Sequence, residues 1–100
     1  MRTQQKEIAE IVRECGELPV PPGNARRRKG FTHRFVAAKN VGPLVAALCR
    51  EYGTEMEIRH KPFAVPCIVW RYPSDRYGWP GTSQVVLWLP GGEDFCVVSA

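Results

Sequence analysis

Between Glu17 and Glu51 the chain has no acidic residue, while Arg26, Arg27, Arg28, Lys29, Arg34, Lys39 and Arg50 all fall in that gap. A block of one sign repels itself and attracts polyanions. Long apolar runs are missing too. No stretch approaches the ~20 residues needed to cross a bilayer, and the N-terminus lacks the apolar core of a signal peptide, so the expected location is cytoplasmic. Histidine is scarce, with only His33 and His60. No two of Cys15, Cys49, Cys67 and Cys96 have metal-ligand spacing, so a zinc site would need scattered ligands to converge. There is no Gly-rich phosphate loop, no nucleophile elbow and no His-Glu-x-x-His. The expectation is a protein with no cofactor and no metal.

What is present points to one α+β domain over residues 1–100. The chain is 44% hydrophobic and 24% charged, a globular composition and not a disordered one. Its net charge of +4 divides unevenly. Residues 1–50 hold ten Lys or Arg against four acids, and residues 51–100 hold four against six. The cationic character therefore belongs to the first half. Each cysteine lies at an apolar position of an expected helix or strand, where a free thiol behaves as a small hydrophobe, so the four read as reduced.

Three apolar runs of strand composition organise the C-terminal half: Cys67–Trp70, Val85–Leu89 and Phe95–Val98. Before them Glu55–His60 alternates polar and apolar with period two, which suits a strand with one solvated face. Val85–Leu89 is apolar on both faces and reads as central, with Trp88 in the core. Pro90-Gly91-Gly92-Glu93 has the composition of a hairpin turn.

In the first half, Ile8, Ile11, Val12 and Cys15 form one helical stripe, with Thr3 as a cap and Gly16 as the stop. The prolines of 18–24 predict an extended, polyproline-like connection. Phe31 to Ala37 alternates as a strand, with Phe31, His33 and Phe35 on one face. Leu44, Val45, Leu48 and Tyr52 give a second helix that Gly53 ends. The order α-β-α-β-β-β-β predicts two helices on one face of a mixed, largely antiparallel sheet of four to five strands. Residues 31–37 and 55–61 are expected to be parallel through a right-handed crossover.

Three functions fit these residues. The first is a non-enzymatic binding protein contacting RNA, DNA or a nucleoprotein. Arg26, Arg27, Arg28, Lys29 and Arg34 would neutralise phosphates, and Phe31 would stack on a base. The alternative is a small inhibitor of a larger host protein complex, of the kind mobile elements and phages encode. It would be anchored by Arg71, Arg76, Tyr77 and Trp79 in a link, residues 71–83, too long for a tight hairpin. The third is a metal-independent ribonuclease with His33 and His60 as base and acid and Arg34 or Lys61 stabilising the transition state. The segment Lys29-Gly30-Phe31-Thr32-His33 resembles the basic, Gly, x, x, His pattern of HicA-type toxin ribonucleases, which implies a catalytic His33. The chain departs from that family by lacking its Gly-Ser-His signature and by adding several strands.

Overall fold

The computed structural model describes residues 7–20, 32–76 and 79–100, the side chains of 75, 76, 79 and 80 excepted. The chain builds α1 (Ile8–Glu14), β1 (Glu17–Leu18), β2 (His33–Ala37), a single 3-10 turn (Ala38–Asn40), α2 (Val41–Tyr52), β3 (Met56–Arg59), β4 (Cys67–Arg76), β5 (Trp79–Trp88) and β6 (Phe95–Ser99). The fold is α+β. All six strands lie in one sheet in the order β1-β2-β6-β5-β4-β3, and every neighbouring pair is antiparallel.

Helix α1 buries Ile11 and Val12, two residues of its expected stripe, and the expected cap at Thr3 lies outside the described residues. Gly16 follows the helix with φ +87°, a conformation that L side chains resist. A Cβ there would also stand 3.1 Å from Asn40 Nδ2. That amide donates to the Cys15 carbonyl at 2.9 Å, tying the end of α1 to the start of α2. Helix α2 buries Leu44 and Leu48 and ends at Gly53, φ +100°.

Both helices pack on the same face of the sheet. Ile11, Val12, Leu44 and Leu48 meet Val36 of β2, Cys96 and Val98 of β6, Val85 and Leu87 of β5, and Trp70 of β4, all at most 2% exposed. Burial of each such aliphatic side chain stabilises the fold by roughly 1.5–3 kcal/mol relative to leaving it in water. None of the four cysteines is in a disulfide.

The sheet differs from the sequence expectation in four respects. It has six strands, not four to five, because Glu17 and Leu18 pair with Val36 and Phe35 before the prolines begin. It is antiparallel throughout instead of mixed. Strands β2 and β3 do run in the same direction, but β6, β5 and β4 lie between them. The antiparallel meander from β3 to β6 ends beside β2 and occupies the position that a parallel neighbour would need. Residues 71–76 and 79–83 of the expected link are strand: the β4–β5 ladder continues through Arg71↔Gln84 and Pro73↔Thr82 to Arg76↔Trp79. Finally, Trp88 is not in the helix-side core. The alternation that turns Val85 and Leu87 toward the helices turns Val86 and Trp88 the other way, and Trp88 is partly buried against Cys67, Val69 and Val86. The indole that fills the core is that of Trp70, 0% exposed.

Candidate nucleic-acid interface on the open sheet face

With both helices on one side, no helix among the described residues covers the other face. The pairing registers bring Leu18, Phe35, Val97, Trp88, Cys67 and Arg59, from β1, β2, β6, β5, β4 and β3, into one row across it. The next row holds His33, Ser99, Val86, Val69 and Glu57. Phe35 meets Phe95 edge-on, ring centroids 5.4 Å apart and planes at 72°. Aromatic pairs favour this geometry because the positive ring edge meets the negative face. The face is therefore apolar and aromatic at its centre, where Phe35, Cys67, Val69 and Val86 are at most 6% exposed and Trp88, Phe95 and Val97 are partly exposed, with charge toward the β3 side.

That charge is a compact cluster. Glu57 accepts from Arg59 at 2.9 and 3.2 Å and from Arg71 at 2.7 Å. All three side chains are roughly half exposed. The hydrogen bond from Arg59, then that from Arg71, holds the Glu57 carboxyl down at about 2, against an ordinary value of 4.5. The same contact raises the Arg59 guanidinium. Two cations on one carboxylate leave a net positive charge at this corner. On the helix side, burial pushes the Cys96 thiol up, and its Sγ contacts the Val36 carbonyl at 3.5 Å.

The sequence-derived candidates divide among these places. Arg26, Arg27, Arg28, Lys29 and Phe31 lie outside the described residues, as does Tyr77. Arg34 is one residue out of step with His33 and Phe35. It pairs with Glu17 of the adjacent strand at 3.1 Å, both about a third exposed. Arg71 belongs to the Glu57 cluster. Arg76 and Trp79 are the last described pair of the β4–β5 ladder. His33 lies on the open face opposite Ser99 of β6, and His60 is exposed just past the end of β3. The strand order sets these histidines' strands four spacings apart, ~19 Å at ~4.8 Å per spacing. Within one chain they do not meet over a common phosphodiester.

Sequence reading missed Trp88, Phe95 and Val97 as members of a surface, because a β-branched and aromatic run reads as core whichever side it faces. The Glu57, Arg59 and Arg71 cluster had a partial signal in the alternation of Glu57 and Arg59, but the cross-strand arrival of Arg71 depends on register. Away from the sheet, an open cavity of about 320 Å³ lies where α1 meets α2, lined by Glu14, Cys15, Gly16, Asn40 and Pro43, none of them a predicted site residue. Among the described residues no three His, Cys, Asp or Glu side chains gather as a metal site, and no helix is long and apolar enough to cross a membrane. No family model, curated protein or solved structure matches the chain.

Proposed function

We propose that the protein is a non-enzymatic binding protein whose partner is nucleic acid or a nucleoprotein, engaged by Arg26–Lys29 together with the open sheet face. The observation that supports this most directly is that both helices pack on one side, leaving Trp88 and Val97, both partly exposed, in one row across the other face with the buried Phe35 of β2. The strand leaving the cationic run is thus itself part of that face. Cations neutralise phosphates and release counterions, and aromatic side chains offer platforms to unpaired bases, so the combination suits single-stranded RNA or DNA. The test is a titration of single-stranded RNA and DNA across salt concentrations. Replacing Arg26, Arg27, Arg28 and Lys29 together by Gln should weaken binding and flatten the log-log salt slope by up to about four units. Unchanged affinity and slope would remove the segment from the interface.

A second reading, an inhibitor gripping a larger protein complex, has its own support. Beyond Trp70 the β4 strand has left β3, and before Val86 the β5 strand has not yet reached β6; past Arg71, held by Glu57, and Tyr72, packed on Tyr52 of α2, the two strands form a projecting arm. At ~3.4 Å per residue, the four residues 73–76 give this arm a reach of roughly 14 Å. If the arm is an anchor, Trp79→Ala should cost about 2 kcal/mol or more in partner affinity with little change in melting temperature. A fall in melting temperature without intrinsic loss of affinity would leave the nucleic-acid reading alone.

A further inference from the structure

Strand β3 pairs with β4 and forms one end of the sheet, so its outer edge carries unpaired backbone donors and acceptors. Native proteins blunt such edges with short strands, charge, proline or a bulge; the four-residue strand Met56–Arg59 has no proline, and its charges, Glu57 and Arg59, are of opposite sign, so they can complement a second strand instead of repelling it. It also has an exposed apolar centre, with Ile58 at 71% exposure. The loop that follows adds Val65 and Phe63, the latter fully exposed at φ +63°, a left-handed conformation that bulky side chains avoid. These are three of the five exposed large hydrophobic residues among those described, within eight residues of one another.

The charges around Ile58 select the occupant of this edge. Reading outward in both directions, Glu57 and Glu55 precede Ile58, and Arg59 and Lys61 follow it at the same distances. The pattern is antisymmetric about Ile58, which is what an antiparallel strand needs to complement a copy of itself. We infer that the chain forms a two-fold homodimer through β3, with the axis at Ile58. The two Ile58 side chains then face each other, Glu57 stands opposite Arg59 of the second copy, and Glu55 opposite its Lys61. Opposite residues in an antiparallel ladder project to the same side, so the helices of both copies stay together and the sheet continues through the interface.

Other registers that keep the two faces in line are disfavoured. An axis at Glu57 sets the two Glu57 carboxylates against each other, and one at Arg59 does the same with guanidinium groups. An axis at Met56 opposes Glu55 to Glu57, and one at His60 opposes Arg59 to Lys61. Like charges directly opposite are destabilising, and the Ile58 axis alone avoids them. In that register Glu57 keeps Arg71 across β4 and gains a cation from the second copy in place of its own Arg59. Continuing the same count brings Phe63 beside the Gly53–Thr54 turn of the other chain.

Sedimentation equilibrium of the full chain from low to high micromolar concentration tests this. The wild type should approach twice the chain mass of 11.3 kDa. The single substitutions Glu57→Arg and Arg59→Glu should each sediment as monomers, because each opposes like charges across the axis. Mixed in equal amounts they should recover the doubled mass, since each then supplies the sign that the other lacks. The chain carrying both substitutions restores the antisymmetry in itself and should dimerise alone, which controls for any loss of folding. A wild type that stays at one chain mass, single variants that associate as the wild type does, or a mixture and double variant that both remain monomeric would each overturn the inference.

Discussion

Two tryptophans separated by one strand pairing show how completely side-chain direction decides a residue's energetic role. Trp70 is fully buried among both helices and β5, and its indole Nε1 finds no hydrogen-bond partner. Trp70→Ala should therefore cost about 3–5 kcal/mol in denaturant melts, the usual range for emptying an aromatic core site. Trp70→Phe should cost clearly less, because the donor that it removes is unsatisfied and buried. Trp88→Ala, on the other face, should cost less, roughly 2–3 kcal/mol, since part of its ring remains in water. An equal loss at both sites would contradict the separation of the two faces. At Glu57 the expectation concerns pH. A carboxyl held near 2 by two arginines stays ionised through the ordinary carboxylate range. Its favourable contacts are thus fully present at and above that range and are lost only as pH falls through about 2. Carbonyl-detected NMR titration should find Glu57 the last of the glutamates to protonate, and Arg59→Ala should move its midpoint up toward 4.5.

At the scale of elements, the β4–β5 hairpin is two structures in one. Cys67–Trp70 and Val86–Trp88 have a strand on each side, whereas Arg71–Arg76 and residues 79–84 pair with each other alone. Amide hydrogen exchange should follow that division, with slow exchange up to Trp70 and from Val86 onward and faster exchange in the arm. Uniform protection along β4 would mean that the arm is covered in solution. The sequence made the existence of most elements legible, because the helical stripes of Ile8–Cys15 and Leu44–Tyr52 and the apolar runs at Cys67, Val85 and Phe95 are local periodicities. It did not reveal the arm, because Pro73 and Pro80 argue against strand. Beyond the end of β3, though, one side of β4 has no neighbour, and a missing N–H is tolerated there. Nor did it reveal β1, whose two residues are too few to show a period. The candidate site was legible as composition, through the cationic run and the aromatic alternation of β2. Its other half, Trp88 and Val97 arriving beside Phe35, depends on partner choice between strands far apart in the chain, which no local pattern encodes.

For the whole molecule, the decisive choice of that kind is made by β6. It is the strand between β2 and β5, so among the described residues it alone joins the N-terminal unit of α1, β1 and β2 to the β3–β5 meander through backbone hydrogen bonds. Its Cys96 and Val98 are also shared with both helices in the core. The pairing spans most of the chain, with Arg34 opposite Val98 and Val36 opposite Cys96. Such non-local contacts repay their loop-closure entropy late, which predicts slow folding for the size. It also predicts that the two halves fold as one cooperative unit or not at all. A chain ending at Glu93 retains every helix and the β3–β5 meander, yet it loses the Cys96 and Val98 burial and leaves β2 without its main partner. It should show no cooperative thermal transition by circular dichroism, and it should bind the apolar-surface dye that reports a loosely packed state. A sharp transition from that shortened chain would show the meander and α2 to be stable alone. The cationic segment ahead of β2 would then be carried by a dispensable edge, and the open face could not be the continuous surface on which the proposed contact rests.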